Sequence, residues 1–161
     1  MKHITRRKFM TGAMAAGAYA LLAPHSRVLG ANEDIRVAIV GCGGRGGGHL
    51  KSCAGMKGVR LVALCDCDTN ILESAAKRLG EKGPAVQTYT DVRKLLESKE
   101  VDAISTATPN HWHSLITVWG CQAGKDVYVE KPVSHNIFEG RQSVVASRQY
   151  SRIVQAGTQS R

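Results

Sequence analysis

Three groups of residues in this sequence have types and spacings that suit chemistry. The first is Gly41-Cys42-Gly43-Gly44-Arg45-Gly46, a G-x-G-x-x-G run. In such a run the first glycine permits a tight turn, the second lets a pyrophosphate approach the backbone, and the third lets helix and strand pack closely. Gly44 and Arg45 fall where a helix would start, and unpaired N–H groups there hold phosphate oxygens. A merely flexible loop would also be glycine-rich. The run is more specific here because the β-branched stretch Ile35–Val40 precedes it and a segment able to form a helix, 45–56, follows. The second group is Asp66, twenty positions beyond Gly46. That is the expected spacing for a carboxylate that accepts hydrogen bonds from the ribose hydroxyls of a dinucleotide. Asp68 adds negative charge, and no lysine or arginine follows until Lys77. A carboxylate repels a 2′-phosphate, so these residues favour NAD, with NADP as the alternative.

The third group comprises Thr108-Pro109-Asn110, with His113 close behind, and Glu130-Lys131-Pro132. Both stretches end apolar runs that read as parallel strands, at the carboxyl edge where ligands bind in such sheets. Thr108, Pro109 and Asn110 would open a helix near the cofactor ribose. Lys131 would leave the fifth strand beside a nicotinamide. A lysine there could polarise a sugar hydroxyl and assist loss of its proton as hydride leaves carbon. The alternative for Lys131 is a surface charge beside a turn proline. His111 and His113 stand two residues apart, so on a helix they point to different sides and do not easily share a metal ion. His135 could approach the site, though nothing requires it.

The elements that must position these groups alternate along the chain. Strands are expected at Ile35–Val40, Val59–Cys65, Val86–Tyr89, Ala103–Ala107, Asp126–Val129 and Arg152–Ala156. Continuous apolar runs of this length suit strands covered on both faces. Leu72, Ala75, Ala76 and Leu79 recur at helical spacing, and Gly80 reads as the C′ residue just past the end of that helix. Asp91 can cap a short helix bearing Val92, Leu95 and Leu96. Trp112, Leu115, Ile116 and Trp119 form a stripe that Gly124 ends, and Ser134 or Asn136 can open a last helix to about Tyr150. The alternation implies right-handed crossovers and a doubly wound parallel α/β sheet of order 3-2-1-4-5-6, the Rossmann fold.

At these motifs the chain resembles the Gfo/Idh/MocA oxidoreductases, the glucose–fructose oxidoreductase and inositol dehydrogenase group. The resemblance runs from about Ile35 to Arg161 and rests on the glycine run, Asp66, Ala107-Thr108-Pro109-Asn110 with His113, Gly124-Lys125, and Glu130-Lys131-Pro132. It implies a cofactor site that includes Gly41, Gly43, Gly44, Arg45, Gly46, Asp66, Thr108, Pro109, Asn110, His113, Glu130 and Lys131. It also implies a catalytic role for Lys131, often with a cis bond to the next proline. Family members continue into a C-terminal α/β domain that supplies the substrate pocket and the oligomer interface. This chain is expected to lack that domain, so it reads as a fragment with an incomplete catalytic set and an exposed face.

Three readings of function follow. One is the nucleotide-binding part of an NAD(P)-dependent oxidoreductase acting on a sugar, cyclitol or related polyol. Another is an NAD-dependent glycosidase-like hydrolase of the same family, and the third is a non-catalytic dinucleotide-binding module. The resemblance also implies a homo-oligomer only when the C-terminal domain is present.

Charge and cysteines narrow the field. The net charge of +9 looks like a nucleic-acid signal, but residues 1–31 hold five basic residues and no acid, leaving 17 basic against 13 acidic in the remainder. That excess is scattered and forms no basic stripe, which argues against nucleic acid. The five cysteines form no C-x-x-C pair, so they suit neither a disulfide framework nor a zinc site and read as small apolar fillers. Arg6-Arg7 followed by the apolar run Gly12–Ala23 resembles a twin-arginine signal. The run is too short to span a bilayer; an uncleaved amphipathic tail is the alternative. The expected organisation is therefore a signal at 1–31, read by the twin-arginine translocase, and a Rossmann domain at 32–161 exported already folded to the periplasm.

Overall fold

The computed structural model describes residues 34–80 and 86–158. The twin-arginine reading lies outside these residues. Asp34–Arg161 forms one compact unit. Its strands are β1 (Ile35–Val40), β2 (Val59–Cys65), β3 (Gln87–Tyr89), β4 (Ala103–Thr106), β5 (Asp126–Glu130) and β6 (Val154–Gly157). Its helices are α1 (Gly44–Ala54), α2 (Thr69–Gly80), α3 (Val92–Leu96), α4 (Asn110–Gln122) and α5 (Ile137–Gln149). The six strands pair in parallel in the order β3-β2-β1-β4-β5-β6, the doubly wound arrangement that the alternation implied.

Strand β1 is buried from Arg36 onward because helices cover both its faces. Successive side chains alternate across the sheet. Val37 and Ile39 therefore join a core layer with Leu50 of α1 and Leu72 and Ala75 of α2. Ala38 and Val40 join the opposite layer, with Leu95 and Leu96 of α3, Ile116 and Cys121 of α4 and Ala146 of α5.

Two caps follow the chemistry of their residues. The Asp91 carboxylate accepts from the Arg93 amide, and the Asn136 side-chain carbonyl accepts from the Glu139 amide. The Glu139 carboxylate accepts in return from the Asn136 side-chain amide and the His135 backbone N–H, a reciprocal pairing at the start of α5.

Two expectations are corrected. Gly80 is the last residue of α2, within the helix, with no positive φ. On α4 the buried face is His113, Ile116, Thr117, Gly120 and Cys121, while Trp112 is 41% exposed and Leu115 is also exposed. The reason is close approach. A Cβ added at Gly120 would stand 2.8 Å from Val127 and 3.1 Å from Ile104. A large ring does not fit where the helix sits so near the sheet; Trp112 turns outward, while Trp119 packs partly buried against the edge of the core. Gly124, with φ +73°, closes this helix as its sequence suggested. The remaining large exposed apolar side chains lie mainly on α5 and just before β6 (Ile137, Phe138, Val144, Val145, Ile153), with Tyr128 on β5 and Ile35 on β1 also exposed.

Candidate functional site

The glycine run follows β1 and opens α1 at the carboxyl edge of the sheet. Gly41 turns with φ +83°, and a Cβ there would stand 3.0 Å from the backbone of Ala107 and Thr108. A Cβ at Gly46 would collide with the Gly41 carbonyl oxygen. These two glycines are required by the fold itself. Gly43 is different. Its backbone is extended (φ −74°, ψ 178°), and an added Cβ would meet only the Ile71 side chain, at an ordinary 3.6 Å. Nothing inside the protein demands a glycine there, which leaves the approach of a ligand as the constraint. The amides of Gly43, Gly44 and Arg45 have no acceptor among the described residues, the condition in which a helix start binds an anion. This arrangement fits a dinucleotide diphosphate.

Asp66 stands just past β2, partly exposed. Its Oδ2 accepts from the Cys42 amide at 2.8 Å, and its Oδ1 accepts from the Asp68 amide at 3.0 Å. The carboxylate is thereby fixed against the glycine loop. Each oxygen keeps a second lone pair, enough to accept from ribose hydroxyls. Asp68 caps the start of α2 by accepting from the Asn70 amide.

Burial pushes the neighbouring Cys42 thiol up to about 11, with the Asp66 charge adding to it. Burial likewise pushes Cys65 up to about 12. Both are buried protonated thiols, whereas Cys67 is exposed.

Thr108, Pro109 and Asn110 join β4 to α4, with Pro109 at the N-cap and Asn110 the first helical residue. The Thr108 hydroxyl lies 3.3 Å from that of Thr106, which is fully buried. Lys131 follows β5 directly. Its side chain is exposed and makes no hydrogen bond or ion pair among the described residues, and its bond to Pro132 is cis.

Two residues that the resemblance places in the cofactor site are buried and bonded to the protein itself. His113 is 1% exposed, and its ring nitrogens meet the carbonyl oxygens of Pro132 at 2.6 Å and Thr108 at 2.8 Å. It bridges the loop at Thr108 and the loop at Pro132. Glu130 is 4% exposed. Its Oε1 accepts from Arg45 Nε at 2.7 Å and from His49 Nε2 at 2.9 Å, and its Oε2 accepts from the Lys131 amide at 3.1 Å. The Arg45 side chain thus reaches inward to Glu130, and its guanidinium is raised by that bond and charge. His111 is exposed on the first turn of α4, and His135 contributes its backbone amide to the α5 cap.

Sequence reasoning missed His49 and Ser105, which hydrogen-bond at 2.8 Å inside the core. A signal existed. Gly46, His49 and Leu50 fall at i, i+3 and i+4 and form the buried face of α1, so helical spacing alone turns His49 inward.

Residues 35–158 match the family model described as "Oxidoreductase family, NAD-binding Rossmann fold". A curated relative, the glycosyl hydrolase family 109 protein 2 of Shewanella sp. (strain ANA-3), is 32% identical over 163 residues, covering 86% of this chain and 36% of that protein. Among solved structures, myo-inositol 2-dehydrogenase from Lactobacillus plantarum is 30% identical with a TM-score of 0.70, covering 78% of this chain and 36% of that one. GenD2 from gentamicin A biosynthesis, solved in complex with NAD, is 27% identical with a TM-score of 0.72, covering 84% and 37%. The chain therefore spans about a third of the length of the proteins it matches.

Proposed function

Because the chain belongs to the Gfo/Idh/MocA oxidoreductase family through its NAD-binding Rossmann domain, we propose that it is the nucleotide-binding part of an NAD-dependent enzyme that oxidises a carbinol carbon of a sugar, cyclitol or related polyol. The observation that carries this reading is the pairing of two features at one sheet edge. A glycine run with free amides, fixed to Asp66, lies beside an exposed, unengaged Lys131.

In this reading the Gly43, Gly44 and Arg45 amides hold the diphosphate, and Asp66 accepts from the adenosine ribose hydroxyls. Asp66 and Asp68 disfavour a 2′-phosphate, which makes NAD the cofactor ahead of NADP. Thr108, Pro109 and Asn110 line the path toward the nicotinamide. Bound NAD supplies the hydride acceptor. Lys131 Nζ donates a hydrogen bond to the substrate hydroxyl oxygen and eases loss of its proton as the adjoining carbon is oxidised.

The glycosyl hydrolase name of the curated relative favours a second reading. In it the same carbon is oxidised only transiently, and the net reaction cleaves a glycosidic bond. Incubating the full-length protein with NAD and a panel of inositols and N-acetylhexosaminides separates the two. Accumulating NADH supports net oxidation, whereas released aglycone without NADH supports hydrolysis. Neither product from any member of the panel, with NAD bound, contradicts both and leaves a non-catalytic binding module.

Export by the twin-arginine route belongs to the same proposal and rests on Arg6-Arg7 and Gly12–Ala23. Changing both arginines to lysine should hold the protein in the cytoplasmic fraction, and unaltered periplasmic recovery would contradict export by that route.

A further inference from the structure

Three side chains the proposed chemistry does not use lie in a row inside the domain. Ser105 on β4 bonds His49 Nδ1 at 2.8 Å, and His49 Nε2 bonds Glu130 Oε1 at 2.9 Å. An ionised carboxylate only accepts, so Nε2 carries the hydrogen of that bond. The atom order resembles a hydrolytic triad, but Ser105, His49 and Glu130 are all buried, so no substrate reaches the hydroxyl. The edge of the Tyr128 ring packs on the imidazole at 5.4 Å and closes the cluster further.

What distinguishes the cluster is where its ends attach. His49 belongs to α1, the helix whose first turn is the glycine run. Arg45, one residue after Gly44 in that turn, bonds the same Glu130 oxygen. The other Glu130 oxygen holds the backbone N–H of Lys131. One buried carboxylate thus ties the diphosphate end of the site to the residue proposed to act at the reacting end.

We propose that Glu130 and His49 are positioning residues that set the reach of Lys131 toward the nicotinamide by locking its backbone to helix α1. The inference rests on the reading that places Lys131 at the reacting end. A buried ion held by several donors is costly to disturb, and a small misplacement of a reacting group costs far more in reactivity than in binding. Glu130 and His49 should therefore matter for what Lys131 touches, and much less for how tightly the coenzyme binds.

The test uses this chain, trace acetylation with acetic anhydride read at Lys131 by peptide mass, and NAD affinity by calorimetry. In the unaltered protein, saturating NAD should slow Lys131 acetylation at least about fivefold, since a group held against a ligand is shielded. In Glu130→Gln and His49→Leu, NAD affinity should stay within about threefold while the protection falls below about twofold. His49→Gln, which keeps a side-chain donor, should restore part of the protection. Circular dichroism identifies any variant that fails to fold, and the His49 pair then carries the comparison. Full protection in Glu130→Gln and His49→Leu would overturn the positioning role. NAD binding that leaves Lys131 acetylation unchanged in the unaltered protein would overturn the placement of Lys131 itself, and this inference with it.

Discussion

The two edges of the sheet each carry buried charge and use it differently. At the amino edge, Arg36 donates to both Asp102 oxygens at 2.7 and 2.9 Å, to Glu100 at 2.7 Å and to the Lys99 carbonyl at 2.9 Å. These partners raise its guanidinium well above its ordinary value. Beside it, the buried Lys125 ammonium donates to the carbonyls of Ser98 and Val101, and burial lowers it. These cations are closed by groups of the protein. At the carboxyl edge Glu130 is just as deeply held, yet the residues around it stay open. The Gly43–Arg45 amides have no acceptor among the described residues, Asp66 keeps unused lone pairs, and the Lys131 ammonium faces solvent. A closed network contributes stability, whereas an open one placed beside it is what a ligand can complete.

Breaking the amino edge should give the largest effect. Asp102→Ala removes both carboxylate bonds to the buried Arg36 guanidinium, leaving it Glu100 and the Lys99 carbonyl, and should cost about 3 kcal/mol of stability, measured by urea unfolding, while NAD affinity measured on the folded protein stays unchanged. An equal loss of affinity would erase the distinction between the edges.

Asp66→Ala should do the reverse. It removes charged hydrogen bonds to the ribose and should weaken NAD binding by roughly 1.5–3 kcal/mol with a smaller change in the unfolding midpoint. Calorimetry showing undiminished affinity would remove Asp66 from the site.

An effect confined to alkaline pH follows from the thiols beneath the glycine loop. Cys42 and Cys65 titrate near 11 and 12 in the folded state against 9.0 when unperturbed. The folded state keeps these protons longer, so their contribution is fully present below pH 9 and is lost as pH rises through the folded values. Between pH 9 and those values each thiol should lower stability by up to about 1.4 kcal/mol per pH unit. A double Cys→Ala variant should flatten the decline, and an identical decline would assign it to other groups.

Much of this division was legible in the sequence because it rests on local pattern. The β-branched runs gave β1 and β2 their ends at Ile35, Val40, Val59 and Cys65, and short polar side chains announced the caps at Asp91 and Asn136. The spacing of Asp66 behind the glycine run likewise put a carboxylate at the end of β2, where it accepts from the Cys42 amide.

What escaped was long-range. His49 meets Ser105 across 56 positions and Glu130 across 81, and no local spacing records such a pairing. Glu130 and His113 were read as cofactor contacts from their place in motifs. Both are buried and bonded to other parts of the protein, Glu130 to helix α1 and His113 to the neighbouring loops, and no local motif records those partners. The stripe on α4 held at Ile116 and Trp119 but not at Trp112 and Leu115, for a steric reason. Size drives burial only where the helix stands far enough from the sheet to admit it, and Gly120 shows that it does not.

The role of the glycine loop can be tested at one residue. Gly43→Ala adds a Cβ that the fold accommodates at 3.6 Å from Ile71, so the unfolding midpoint should hold. The same methyl group would occupy the space a diphosphate needs, so calorimetry should show NAD binding weakened at least about tenfold, equivalent to about 1.4 kcal/mol. Unchanged NAD affinity in a stably folded Gly43→Ala protein would contradict the diphosphate cradle.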